Sequence, residues 1–491
     1  MKNNTTSPTQ KSENGKKIMW YNLAFMGFTT VWGFANIVNG YAYYGGLPAV
    51  VPWILIMALY FVPYALMVGE LGSTFKDTEG GVSSWIMSTT APVFAFFAGW
   101  MYWVVHMPYL SQKPNQIMVA ISQAIFQKNK VEDRPLIFVA LVSFAIFLLA
   151  VFITTRGVNM IKKVATIAGI CSFVLSMLFI LMIWAAPAIT HPHGMQDIKW
   201  SFDTFSPNIN TSFFTSFCVL ILAVGGAEKI APYVNKMKKP GKSFPKGMIA
   251  VAIMVAVCAI LGTIALGMMF PAVTSDKQKQ ELLLNGAYVA FEKLGAYYHV
   301  GNLFKIIYAI TQAICFSAAL IISIDAPLKI LLDNADTKYL PKGLLKKNKK
   351  GIYTNGLIMV VVIVGILIIV PAFGIGNEKA LNEFLTKVNA VCMPLRYCWV
   401  FVAFFFLKKR FSKKESDYKF VKSKGFGMVI AAWCFILTLA SCIVGMFVKK
   451  ADGAGVDWFQ TSLNIIIPII LVCLGFVMMA IARKSNKKEN K

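Results

Sequence analysis

Residues 28–36 read Phe28-Thr29-Thr30-Val31-Trp32-Gly33-Phe34-Ala35-Asn36, and residues 222–232 read Leu222-Ala223-Val224-Gly225-Gly226-Ala227-Glu228-Lys229-Ile230-Ala231-Pro232. Together these two stretches indicate how the chain folds. Each lies inside an apolar run close to the roughly 20 residues a helix needs to cross a bilayer. Each places glycine, small and polar residues where an unbroken span has no use for them. Glycine at one such point is commonplace, because small residues let membrane helices pack closely. At two matching points it suggests a pair of discontinuous helices, whose broken ends expose backbone N–H and C=O groups to a ligand.

The rest of the chain sets these interruptions in a membrane. It has 491 residues, of which 57% are hydrophobic and 14% charged, with a mean hydropathy of +0.63. A soluble protein carries about 25% charged residues. About twelve apolar runs can be marked, from 19–42 and 49–72 through 93–126, 209–232 and 384–407 to 426–448 and 460–482. The expected fold is therefore all-α, with about 12 transmembrane helices and discontinuous helices 1 and 6.

The net charge of +26 would suggest a nucleic-acid partner in a soluble protein. Here the basic residues sit in short loops between apolar runs. With the N-terminus inside, inner segments carry roughly three times as many Lys and Arg residues as outer loops, as the positive-inside rule requires. The expected partners are a lipid bilayer and a small solute, with no nucleic acid. The expected location is the cell membrane, with both termini cytoplasmic. Residues 1–18 read as a disordered polar tail and 483–491 as a basic tail. The first apolar run is too long for a signal-peptide core, so no leader is expected. The loop from Pro271 to Asn302 is expected to hold a surface helix or two.

Nine cysteines fall within the spans without metal or redox spacing and read as packing residues. His191 and His193 read as a solvated loop. No metal and no cofactor is expected.

Ionisable residues at membrane depth are costly and mark function. Eight fall within spans: Glu70, Lys113, Glu228, Lys229, Lys305, Asp325, Lys387 and Arg396. Lys305 and Lys387 lie near outer ends and can snorkel to the surface. Lys113 sits in a polar stretch between Pro108 and Pro114, as if lining an aqueous cavity. Arg396 needs an anion, either Glu228, Asp325 or a substrate. His106 reads as a satisfied hydrogen-bonder. Thr29 and Thr30 can bond either to a ligand or back to their own helix.

The motifs resemble those of the amino acid–polyamine–organocation (APC) superfamily. Phe61-Val62-Pro63-Tyr64-Ala65-Leu66-Met67-Val68-Gly69-Glu70-Leu71-Gly72, followed by Glu79-Gly80-Gly81-Val82-Ser83-Ser84-Trp85, is similar to its AEL…GG-x-x-x-W signature. Gly226-Ala227-Glu228 followed by Asn235 to Pro245 is similar to its G-x-E…NP-x-R-x-x-P pattern. Within the superfamily the chain most resembles the glutamate/γ-aminobutyrate (GABA) antiporter branch.

That resemblance implies a LeuT-like, five-plus-five inverted repeat, with halves at 19–207 and 208–407 and two added helices in 408–482. It implies secondary-active exchange of amino acids or amines by alternating access, with proton-coupled uptake as the alternative and a non-transporting sensor as a remote one. It further implies that Thr29, Thr30, Val31, Trp32 and Gly33, with Leu222, Ala223, Gly225 and Gly226, hold the substrate's α-groups. Lys113 and Arg396 are the candidates for reading a side-chain carboxylate. Glu70, Glu228, Lys229 and Asp325 are the candidates for gating or coupling, with Glu79-Gly80-Gly81 at the inner gate.

Three departures qualify this. Leu222 stands where some relatives have an aromatic gate. Ile167 to Cys171 holds no lysine, unlike some proton-coupled relatives. The C-terminal tail is too short for an acid-regulated plug. An enzyme is not expected, since no HExxH, GxSxG or carboxylate cluster is present.

Overall fold

The computed structural model describes residues 18–489 apart from 334, 349–350, 374–377, 412–414 and 449–454. Residues 1–17 of the tail expected at 1–18 and the side chain of Lys387 lie outside the described residues. Ile18 is buried and donates its N–H to Lys236 O at 3.3 Å, so it belongs to the packed bundle and not to the expected tail. Eleven helical segments among the described residues are long and apolar enough to cross a membrane. The first expected span is absent from that count because it is divided into α1 (Trp20–Val31) and α2 (Ala35–Tyr43). Neither half alone reaches the length of a span.

The remaining helices follow in order. They are α3 (Leu47–Thr74), α4 (Val82–Thr89), α5 (Pro92–Val104), α6 (His106–Phe126), α7 (Leu136–Thr154), α8 (Val158–Ile189) and α9 (Thr211–Ala223). A 3-10 segment, Ala227–Lys236, precedes α10 (Pro240–Met269), α11 (Asp276–Tyr297), α12 (Leu303–Leu332), α13 (Thr354–Ile369), α14 (Glu378–Leu395), α15 (Tyr397–Arg410), α16 (Lys424–Met446) and α17 (Trp458–Glu489). The surface helix expected in the Pro271–Asn302 loop is α11, a single helix of 22 residues.

The lipid-facing surface is visible in what remains exposed. Leu141, Phe152, Leu181, Ile366, Ile436 and Phe476 are all exposed, a pattern that costs free energy in water and none against acyl chains. The buried core runs through the centre of the bundle. There α1 packs between α8 and α10, and α12 packs along α6.

Proline chemistry shapes α3. Pro63 has no N–H to return to the carbonyl of Leu59, and the helix opens into a π turn over Met57–Phe61. The freed Leu59 carbonyl accepts instead from Trp433 Nε1 of α16 at 3.0 Å.

The basic tail expected at 483–491 is helical as far as residue 489, continuing α17. Asn486 is anchored there: its side chain accepts from Lys342 N at 3.2 Å and donates to Leu340 O at 3.3 Å. A polar side chain with backbone partners in reach is held by them, and basic composition alone does not report that.

Candidate functional site

Both interruptions are present and face each other. After Val31 the backbone leaves helical geometry at Trp32 and resumes at Ala35. After Ala223 it passes through Val224, Gly225 and Gly226, the last with φ of +109°. That left-handed conformation favours glycine. A Cβ on Gly226 would come within 2.9 Å of the Thr30 carbonyl oxygen, and one on Gly225 would meet the Tyr397 ring.

The last carbonyls of a helix lack intrahelical partners; here the first break supplies one to Ala223 O, at the end of α9, and a side-chain donor to Gly226 O, which also accepts from Lys229 N. Thr30 Oγ1 donates to Gly226 O at 3.2 Å, and Asn36 Nδ2 donates to Ala223 O at 3.3 Å. Thr29 and Thr30 also bond back to their own helix, at Phe25 O and Gly27 O, and Thr29 reaches Ala165 O of α8 at 3.0 Å. Thr29 and Thr30 thus bond back to their own helix, as threonine in a membrane helix commonly does, and each also reaches a carbonyl of a neighbouring element.

A cavity of about 430 Å³ opens beside the first break, within the size range of small-molecule sites. Thr29, Thr30, Val31, Trp32, Gly33, Ala223 and Lys113 all line it. Asn36, Tyr109, Gln116, Tyr308, Gln312 and Cys315 join them, with residues Leu282 to Leu284 of α11 forming one wall. The N–H groups of Asn36 and Ile37 donate to Gly33 O at 2.8 Å and Phe34 O at 3.2 Å, and the positive end of the α2 dipole lies at Ala35, which borders the cavity. This makes the break a place where an anion can be received.

Leu222, Gly225 and Gly226 are not among the lining residues. Leu222 lies toward Gly445 of α16, and the two glycines lie behind Thr30 and against Tyr397. The residue missed here is Cys315, read from sequence as a packing residue but bordering the cavity. Tyr109 and Gln116 belong to the polar stretch around Lys113 that reads as cavity-lining and do border the cavity; Gln312 was also missed, and only a polar residue's position on the inward face of a span could have marked it.

The two central cations have different fates. Lys113 Nζ donates to Gln116 Oε1 at 2.6 Å and lies 4.6 Å from the ring centres of both Tyr109 and Phe316. No carboxylate stands within 4.0 Å of it among the described residues. Arg396 is buried away from the cavity. Its Nε meets Glu228 Oε1 at 3.2 Å, its Nη1 reaches His106 Nε2 at 2.6 Å, and its Nη2 donates to the Tyr397 hydroxyl at 3.3 Å. His106 Nδ1 lies 2.6 Å from Tyr102 O. One tautomer, with the proton on Nδ1 and Nε2 accepting from Arg396, satisfies both contacts. Glu228 is further held by the hydroxyls of Tyr64 and Tyr102.

The other candidates divide between the core and one end of the bundle. Lys229 Nζ donates to Ser323 Oγ of α12 at 3.1 Å. Asp325 accepts from Tyr233 at 2.8 Å and Lys329 at 2.7 Å. Glu70 is buried and pairs with Lys408 at 2.6 Å while accepting from Phe420 N at 2.8 Å; Lys408 went unnoticed in the sequence because it follows its span in a basic run. Lys305 pairs with Glu292 of α11 at 2.7 Å.

Glu79 joins three segments at the end of the bundle away from α11. It accepts from Asn235 at 2.9 Å, Lys236 at 3.2 Å and Lys347 at 3.5 Å. Lys347 also meets Asp333 at 3.0 Å. Partial burial acts to raise the Glu79 carboxyl, but Lys236, Lys347 and Asn235 outweigh it and hold it below the usual glutamate range. Burial likewise works against the Lys347 ammonium, and Asp333 and Glu79 outweigh it, holding its pKa above the ordinary lysine value.

Among the described residues no group of three or more His, Cys, Asp or Glu side chains is arranged to hold a metal.

Comparison with known proteins accounts for this arrangement. The family model for amino acid permeases matches residues 18–474. The chain is 45% identical over 479 residues to the aspartate/glutamate permease AcaP of Lactococcus lactis subsp. cremoris, covering 96% of this chain and 97% of the relative. It is 26% identical to the inner membrane transporter YjeM of Escherichia coli, over 94% and 96% of the two chains. It is 24% identical to the glutamate/gamma-aminobutyrate antiporter of Lactococcus lactis subsp. lactis, over 85% and 81%. The paired helix breaks, the cavity beside them and the match across nearly the whole chain lead to one conclusion: this multi-pass membrane protein is a transporter, not an enzyme, and belongs to the amino acid permease family of the APC superfamily.

Proposed function

We propose that the protein carries acidic amino acids, aspartate and glutamate, across the cell membrane by alternating access. The observation that supports this most is the Lys113 ammonium, which borders the cavity without a carboxylate within 4.0 Å among the described residues. An unpaired cation in a low-dielectric site favours an anionic ligand. Arg396 is already engaged by Glu228, so the side-chain carboxylate falls to Lys113. The substrate's α-carboxylate would rest on the backbone at the positive end of α2 beside the first break, and its α-amine on nearby carbonyls, as the family resemblance implies.

Both termini are then cytoplasmic, and α11 stands on the outer face. The halves 19–207 and 208–407 would form the inverted repeat, with α1, α2, α3, α9 and α10 rocking against the rest. Glu70, Glu228 and Asp325 would serve the gates and coupling from their ion pairs, and Lys229 from its hydrogen bond to Ser323. The likeness to a relative named for aspartate and glutamate supports driven uptake. Exchange against an amine such as GABA is the second reading, supported by the antiporter relative.

Proteoliposomes separate the two. Labelled glutamate or aspartate should accumulate in empty vesicles under an imposed ion gradient. Uptake only into vesicles preloaded with an amino acid or amine would establish obligate exchange. No flux of acidic amino acids in either arrangement would refute the substrate class.

A further inference from the structure

Lys229 is a second cation without a counter-ion. It lies in the first turn after the helix 6 break, and its side chain is buried. Its ammonium is 4.9 Å from the centre of the Tyr109 ring, the same ring that lies 4.6 Å from Lys113 Nζ. The two ammonium groups are therefore no further apart than the sum of those distances. Lys113 borders the cavity and Lys229 does not.

The groups facing Lys229 offer it no free anion. On its own segment, Glu228 is occupied by Arg396, Tyr64 and Tyr102, while Tyr233 donates to Asp325. From α12 comes Ser323, its hydrogen-bond acceptor; Asp325 of the same helix is held by Tyr233 and Lys329. From α6 come His106, Tyr109 and Lys113, and from the start of α15 comes Arg396. No carboxylate lies within 4.0 Å of the Lys229 ammonium among the described residues.

A ligand shifts a conformational equilibrium only by its difference in affinity between the two states. A site whose contacts are all made while the cavity is open gives substrate no reason to close it. Lys229 sits beside the break that follows α9 and bonds to α12, so an anion arriving there would tie those two elements together. We infer that Lys229 is a second reading point for the substrate's side-chain carboxylate, engaged only as the cavity closes, when the Tyr109 ring moves aside and the carboxylate passes from Lys113 to Lys229. This rests on the acidic-amino-acid reading. It assigns Lys113 to capture and Lys229 to occlusion.

The test measures equilibrium binding of labelled glutamate to purified full-length protein and glutamate/glutamate exchange in proteoliposomes. Lys229→Gln should leave Kd within about threefold of wild type and lower the maximal exchange rate at least about tenfold, and Lys229→Arg should recover part of that rate. Lys113→Gln should instead raise Kd. A second measurement serves if Lys229→Gln does not fold. In Ser323→Cys on a Cys315→Ser background, glutamate should slow thiol modification at position 323 and glutamine should not. Wild-type exchange rates in Lys229→Gln, a Kd raised as far as in Lys113→Gln with an unchanged maximal rate, or modification at 323 indifferent to glutamate would each overturn the proposal. Wild-type protein that neither accumulates nor exchanges acidic amino acids would refute the functional reading itself, and this one with it.

Discussion

Arg396 and Glu228 form an ion pair at the centre of the bundle, with Nε 3.2 Å from Oε1 and side-chain exposures of 2% and 0%. The pair joins the segment after the helix 6 break to the start of α15. It is insulated by Tyr64, Tyr102, Tyr397 and His106, each of which donates to or accepts from one of the two partners. Breaking such a pair by removing one member costs more than replacing both, because the survivor is left charged and unpaired. Glu228→Gln or Arg396→Met alone should lower stability by about 3–5 kcal/mol, and the double variant should lose less than the sum of the two. Thermal unfolding of purified protein in detergent measures this; simple additivity would show that the pair is not coupled.

Lys113 is the cavity-side counterpart of that buried pair. Lys113→Ala should raise the KM for glutamate and aspartate about tenfold or more, equivalent to about 1.4 kcal/mol of lost binding. Protein abundance and thermal stability should barely change, since the ammonium neutralises no acidic group. Unchanged uptake kinetics in correctly inserted protein would remove Lys113 from substrate recognition.

Gly226 carries the backbone conformation of the second break. Its φ is +109°, and a methyl group added there would sit 2.9 Å from the Thr30 carbonyl oxygen. Gly226→Ala should therefore cost about 1–3 kcal/mol in backbone strain. Transport should fall more steeply than expression, because the distortion is centred on the contact between the two breaks. Circular dichroism together with exchange rates in the same preparation distinguishes this from general unfolding.

The Glu79 cluster should respond to acid and not to the neutral range. Its carboxyl is held below the ordinary 4.5, so the pairing with Lys236 and Lys347 is fully present above that value. It is lost only as pH falls through the lower folded value. Glu79→Gln should therefore be less stable than wild type at about pH 6–8, and the two should converge in stronger acid. The difference should also shrink at high salt, since the cluster is partly exposed. Melting curves across pH and ionic strength provide the measurement, and a gap that widens on acidification would contradict the assigned charge state.

Much of the architecture is legible in residue order because the bilayer restricts the choices. Apolar length dictates spans, and an interrupted span must place its freed backbone groups in protein or a cavity. Hence Gly33 and the Gly225-Gly226 pair announce the breaks by themselves. The candidate site is less legible. Leu222 falls within the right segment but on the face toward α16, since neighbouring residues on a helix point in different directions. Lys113 and Arg396 look alike in sequence, each a single cation among prolines and polar residues. Cys315 is hidden among eight other cysteines in apolar runs.

Hydrophobic length and backbone hydrogen bonding are local properties. Residue order is therefore enough to establish a helical membrane protein with two broken spans, and to mark Lys113, Lys229 and Arg396 as cations at membrane depth. What those cations are for depends on how the helices pack. Glu228 lies far from Arg396 in the chain yet takes it as a partner, while Lys113 and Lys229 are left on either side of access to the cavity, sharing Tyr109. Charge pairing inside a membrane turns on distances of a few ångströms between helices, and residue order carries no record of those distances.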